Sequence, residues 1–273
     1  MALNINSNIP SLNAQRHLDE STLSLNRSLE RLSSGLRINA AADDAAGLAI
    51  ADKLRSDVRI ASQAIRNASD GISAISIGEQ SLGKTGEILT RLNELASQSS
   101  SGLVADTQRS ALQEEFIALV SEIDRISNTT TFNGVNLLSA GTTVSLQVGL
   151  DGTSNSRIDF NTIDGSSSGI GLSGISVSTS AAAQSALGAI NSAIANIASR
   201  RGTLGSVESR LNTAIANLRV ARENFSAAES RIRDVDVAEE TANLTRTTIL
   251  QQAGVAVLAQ ANQQPSLALT LLR

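Results

Sequence analysis

Between residues 187 and 232 apolar side chains recur alternately three and four positions apart. Leu187, Ile190, Ile194, Ile197, Leu204, Leu211, Ile215, Leu218, Phe225 and Ile232 all keep this rhythm, and Arg201, Glu208, Arg222 and Glu229 interrupt it. A 3.5-residue period held this long predicts a coiled-coil helix. At ~1.5 Å rise per residue it runs roughly 70 Å, so it needs partner helices along its length, from the same chain or from other copies. A second stripe, Leu54, Val58, Ala61, Ile65, Ala68, Ile72, Ile75, Leu82 and Leu89, predicts another long helix, with Glu79 and Gly86 as its exceptions. Asp43-Asp44 supply N-cap and first-turn residues for it, and the Ser-rich stretch 97–102 ends it. Leu112, Phe116, Leu119, Ile123 and Ile126 mark a shorter helix.

Both ends of the chain carry thinner stripes. Leu18, Leu25, Leu29, Leu32 and Leu36, with Thr22 in one slot, predict an N-terminal helix broken at Ser33-Ser34-Gly35, where Gly accommodates positive φ. From about Asp236, Leu244, Val255, Leu258, Leu267, Leu269, Leu271 and Leu272 give a weakly amphipathic segment. Such stripes bury little surface against an ordering entropy of about 1–2 kcal/mol per residue. They are expected to order only between molecules.

Near residue 129 the period changes. Asn133-Gly134 is a hairpin-turn signal. Val144, Leu146, Val148 and Leu150 alternate with polar or small residues, as a half-buried strand does, and Ile158 and Phe160 suggest a second strand. Residues 161–180, rich in Ser, Thr and Gly, read as part of a small hairpin or loose β element. The expected fold class is mainly α: long antiparallel coiled-coil helices forming an elongated rod, with a small β-hairpin region in the middle of the chain.

Composition narrows the chemistry. The 273 residues carry a formal net charge of −4 and no Trp, Tyr or Cys, so no disulfide or Cys-based metal site is available. Pro10 and Pro265 lie near the two ends and leave the interior free for long helices. No run of ~18 apolar residues spans a membrane, and the opening residues lack the basic and apolar regions of a secretory signal. Mild acidity argues against nucleic acid, which needs a clustered basic surface. His17 is the only histidine, so a two-His zinc motif cannot form. Asp43-Asp44 read as capping residues rather than a metal pair, because adjacent residues on a helix point apart. No enzyme activity, metal or cofactor is expected. The Ser/Thr stretch near 153–180, if it faces solvent, is open to O-linked sugars.

Several blocks resemble the bacterial flagellin family. They are Ala2-Leu3-Asn4-Ile5-Asn6 with Ser11-Leu12-Asn13-Ala14; Leu29-Glu30-Arg31-Leu32-Ser33-Ser34-Gly35-Leu36-Arg37-Ile38-Asn39; and Asp43-Asp44-Ala45-Ala46-Gly47-Leu48-Ala49-Ile50. Glu122-Ile123-Asp124-Arg125-Ile126 with Thr131-Phe132-Asn133-Gly134, Ala228-Glu229-Ser230-Arg231-Ile232-Arg233-Asp234, and Ala259-Gln260-Ala261-Asn262-Gln263-Gln264-Pro265 continue the resemblance to the end.

The resemblance implies a motility-filament subunit that self-assembles outside the cell, after export unfolded through the flagellar secretion channel. It implies a homo-oligomer served by an export chaperone and by cap and hook-junction proteins, with no membrane or nucleic-acid partner. By that pattern residues 1–42 form the N-terminal part of an inner coiled-coil domain with its connector. Residues 43–236 form a helical bundle with a β-hairpin element at about 132–178, and residues 237–273 form the C-terminal part of the inner coiled coil. Leu18, Leu25, Leu29, Leu32, Leu36, Leu244, Val255, Leu258, Leu267 and Leu271 would then line the assembly interface. Arg91, Leu95 and Glu115 match positions where some flagellins meet a host innate immune receptor. The short middle leaves no room for the outer domains of longer flagellins. The alternatives are a hook–filament junction protein or a secreted coiled-coil adhesin or binding module.

Overall fold

The computed structural model describes residues 7–139 and 141–271, with side chains through residue 264. Its order is α1 (Ile9–Ser34), α2 (Ala45–Ser100), α3 (Asp106–Thr129), β1 (Thr131–Phe132), β2 (Val135–Asn136), β3 (Thr143–Gln147), β4 (Arg157–Asn161), α4 (Ser180–Arg233) and α5 (Val237–Leu271). The chain divides into two compact units, Met1–Ser56 with Asn224–Arg273, and Asp57–Glu223.

In the second unit the core runs along α2 and α4. The inward positions of α2 are Ala61, Ala64, Ala68, Gly71, Ile75, Gly78, Leu82, Thr85, Leu89, Leu92, Ala96 and Ser99, all buried and alternately three and four apart. Those of α4 include Ala183, Ala186, Ile190, Ala193, Ile197, Leu204, Val207, Leu211 and Leu218. These are heptad seams, but from Ala64 to Thr85 of α2 and from Ala186 to Val207 of α4 they sit one residue before the stripes read in the sequence at every second slot, while Ile215 is buried where the sequence placed it. Ile65, Ile72, Leu187 and Ile194 flank the core half-buried, while the small Ala64, Gly71, Ala186 and Ala193 face inward. Large side chains one residue later dominated the hydrophobic signal, and the small ones at the seam gave none. Gly71 makes room for the hairpin, since a Cβ there would overlap Leu146 Cδ1 of β3.

The shift explains the polar interruptions. Glu79 and Arg201 lie beside the seam, and Arg201 Nε donates to Glu79 Oε1 at 2.9 Å. This is the flanking ion pair of a coiled coil rather than a polar core layer. Phe116 and Ile123 of α3 complete the core, fully buried.

Asn133 and Gly134 both take positive φ, 48° and 80°, the turn that joins two strands at Phe132↔Val135. β3 and β4 pair antiparallel from Thr143↔Asn161 to Gln147↔Arg157. The strand ends before Val148 and Leu150, where Asp151 organises the turn by accepting from Thr153 Oγ1 at 2.8 Å and from Ser156 Oγ. Those hydroxyls hold the Asp151 carboxyl below its ordinary pKa.

Residues 162–179 contain no strand, contrary to the loose β element expected. They form a loop pinned from three helices. Arg200 donates to the carbonyls of Asp164 and, at 2.8 Å, Gly169. Asp124 accepts from Ser167 N at 2.8 Å and Ser167 Oγ at 2.9 Å. Gln113 Oε1 accepts from Val177 N at 2.5 Å, and Ser99 Oγ donates to Val177 O at 2.5 Å. Ile170, Leu172 and Val177 anchor it in the core. Ser166, Ser167 and Ser176 are hydrogen-bonded and half-buried, whereas Thr153, Ser154, Ser168, Ser173, Ser178 and Thr179 are exposed as the sequence reading expected.

Candidate assembly surface

In the first unit α1 packs along α5. Ser11, Ala14 and Ser28 are the buried residues of α1, with Leu18, Leu25 and Leu32 half-buried between and beyond them at heptad spacing. α5 answers with Glu240, Leu244, Thr247, Gln251, Gly254, Leu258 and Ala261 at alternating steps of four and three. Much of this seam is small or polar. Gly254 faces Leu18, and a Cβ there would meet Leu18 Cδ1 at 3.4 Å in ordinary van der Waals contact. Asn8 caps α1 by accepting from Ser11 N at 3.2 Å and ties it to α5 by donating to Ala261 O at 2.9 Å. Ser11 Oγ donates to Asn262 Oδ1 at 2.8 Å. At the other end the buried Glu240 lies 3.7 Å from Arg31.

The segment between α1 and α2 crosses the break between α4 and α5. Gly35, at φ 73°, closes α1 through its N–H to Arg31 O at 2.9 Å. Val235 N donates to Gly35 O at 3.1 Å, and Arg37 N donates to Arg233 O at 2.6 Å. Arg37 Nη2 adds a bond to Ile232 O at 2.6 Å. Within Asp43-Asp44 the roles divide. Asp44 Oδ1 caps α2 by accepting from Gly47 N at 2.9 Å. Asp43 Oδ2 accepts from Ala40 N at 3.0 Å and Asn39 N at 3.1 Å; those backbone donors hold its carboxyl below the ordinary pKa. Asp236 caps α5 through Ala238 N at 2.9 Å.

The side of α1 turned away from α5 exposes three large apolar residues among the charged Arg16, Asp19, Glu20, Arg27 and Glu30. Ile9, Leu12 and Leu23 are 55%, 62% and 59% exposed, and at 3.6 residues per turn they lie within about 60° of one another, opposite the seam. α5 exposes Val237, Ile249, Leu250, Val255 and Val257. The ten residues expected at an assembly interface are thus divided. Leu18, Leu25, Leu32, Leu244 and Leu258 face the intrachain seam. Leu29 and Val255 are exposed. Leu36 lies past the end of α1, bridged to Asp234. The side chains of Leu267 and Leu271 lie outside the described residues. Ile9, Leu12, Leu23 and Ile249 were missed, because their isolated spacing carries no periodic signal until the partner helix is known.

Of Arg91, Leu95 and Glu115, two meet. Arg91 Nη2 donates to Glu115 Oε1 at 2.8 Å and Arg91 Nη1 to Glu94 Oε2 at 3.0 Å, and these carboxylates raise its pKa. Leu95 is fully buried in the α2 core and presents nothing to a partner in this fold. His17 is exposed on α1, its Nδ1 3.4 Å from Glu20 Oε2.

Paired terminal helices at heptad spacing, with several large apolar side chains left exposed, define a coiled-coil protein. Residues 5–143 match the bacterial flagellin N-terminal helical region, and residues 187–272 match the C-terminal helical region. The chain is 46% identical to the flagellin of Halalkalibacterium halodurans, over 98% of this chain and 99% of that one. It is 39% identical to the flagellar filament 33 kDa core protein of Treponema phagedenis, over 98% and 99% respectively. Bacillus cereus flagellin, a solved structure, superposes with a TM-score of 0.51 at 26% identity, covering 56% of this chain and 88% of that one. The chain belongs to the bacterial flagellin family.

Proposed function

We propose that this chain, a structural subunit of the flagellar filament, assembles by burying the outer apolar residues of its paired terminal helices against neighbouring copies. The observation that carries this reading is the row Ile9, Leu12 and Leu23, exposed on the far side of α1 from its seam. Burying one such side chain contributes about 1.5–3 kcal/mol, repeated at every subunit. The thin intrachain seam supports the corollary that these helices become stable only in the assembly. Near-complete coverage of flagellins and filament core proteins favours the filament subunit over a junction protein or an adhesin.

The finer reading follows the family. The subunit is secreted unfolded through the flagellar export channel with a chaperone, added beneath a cap beyond the hook-junction proteins, and resides in the extracellular filament without catalytic activity. A cysteine-free chain with two prolines presents no covalent barrier to passage in extended form. A host innate immune receptor would find the Arg91–Glu115 pair on the surface but not Leu95. Electron microscopy of seeded, purified protein tests the assembly reading. Wild type should grow long tubes, and Leu12→Gln/Leu23→Gln should grow none while its helicity as a monomer stays unchanged. Normal tubes from the double variant would overturn the proposal.

A further inference from the structure

We propose that the tertiary joints of this protein are built to persist in strongly alkaline medium, because every cross-element ion pair among the described residues uses a guanidinium as its cation. Lys53 and Lys84 are the only lysines among 22 basic side chains, and Tyr and Cys are absent. Those three residue types titrate between about pH 8.5 and 10.4, whereas arginine holds its charge beyond about pH 12. Apart from Lys53 and Lys84, the side chains of this sequence include none of those types.

Placement makes composition a property of the fold. Arg31 faces Glu240 of α5, with Arg27 and the connector carboxylate Asp43 in electrostatic reach. Arg201 of α4 faces Glu79 of α2, in a groove that Lys84 and Glu87 also line. Arg55 pairs with Glu229 and Arg233 with Asp52. Two further arginines act on backbone. The buried Arg109 donates to Ser99 O at 3.0 Å and Ser101 O at 2.9 Å, closing the end of α2, with Asp106 of its own helix as its carboxylate partner. Arg200 holds the carbonyls of Asp164 and Gly169 in the pinned loop, beside the Asp164 carboxylate that accepts from Ser166. Lys84 pairs only within its own helix, with Glu87. An ammonium in any of these joints would be neutralised in alkali, leaving a carboxylate without its counter-charge and a carbonyl with a weaker, uncharged donor; a guanidinium is not.

The sign of the effect is definite. A lysine that gains a carboxylate partner on folding has a raised pKa. Its contribution is full below about pH 10.4 and is lost as pH rises through the folded value; for arginine the same loss begins only above about pH 12. Alkaline titration of the full-length monomer, followed by circular dichroism, tests the idea against Arg109→Lys/Arg200→Lys/Arg201→Lys. Wild type should keep its helicity from pH 8 to about pH 11.5, and the variant should lose it at least about one unit earlier. If the triple variant is unfolded at neutral pH, Arg201→Lys alone serves. Its melting temperature should fall between pH 8 and 11 while that of wild type holds. A wild-type unfolding midpoint below about pH 11, or profiles that coincide for wild type and variant, would overturn the proposal.

Discussion

Asp43 illustrates how much one exposed carboxylate organises. It accepts two backbone N–H bonds that bend the connector after α1, while its neighbour Asp44 starts α2. Because Ala40 and Asn39 favour the ionised form, the folded pKa of Asp43 lies below the unfolded one. Its contribution is therefore present above about pH 3.9 and is lost as pH falls through the depressed folded value. Carbon-detected titration should place Asp43 below the ordinary aspartate value, and exchange at the Asn39 and Ala40 amides should quicken on acidification beyond the intrinsic rate. An ordinary Asp43 titration would contradict this geometry.

At the scale of elements, two kinds of bonding divide the labour. Helix–helix seams of alternating small and large residues hold α2 to α4, whereas the stretch between β4 and α4 depends on side chains aimed at its backbone. Arg200 and Asp124 each make two bonds to that loop. Hydrogen bonds to charged groups are worth about 1.5–3 kcal/mol each. Arg200→Ala or Asp124→Ala should thus lower the local opening free energy by about 2–3 kcal/mol and speed proteolytic nicking between residues 163 and 178 about thirtyfold or more. The helices on either side should keep their exchange protection. Equal cleavage rates in wild type and variants would show that Ile170, Leu172 and Val177 hold the loop alone.

For the whole molecule, the two units differ in what stabilises them. Residues 57–223 share a continuous core of Leu, Ile, Val and Phe. The α1–α5 pair fully buries only small and polar side chains, keeps Leu18, Leu25, Leu32, Leu244 and Leu258 half-buried in its seam and leaves other large apolar ones exposed. The ordering entropy of about 1–2 kcal/mol per residue is thus offset in the first case and only partly in the second. A chain spanning residues 43–236 should melt cooperatively in calorimetry yet form no filament when seeded. Filaments from this piece would mean that the terminal helices are not the assembly surface.

The sequence by itself determined the long helices, their 3.5-residue period, the Asn133-Gly134 turn and the strands at residues 144–146 and 158–160. Each rests on local propensity or on a periodicity that survives without knowing the partner. It also carried the family, through blocks such as the one ending in Ile38-Asn39. Tertiary structure alone decided which residue of each neighbouring pair faces inward. Small side chains such as Gly71, Ala193 and Ser28 give no hydrophobic signal, and their burial follows from which neighbours pack over them. It also turned Glu79 and Arg201 from apparent defects into partners, and separated the outer Leu12 and Leu23 from the inner Leu18 and Leu25. Which face of a helix stays open depends on where its partner lies, and no single stripe records that.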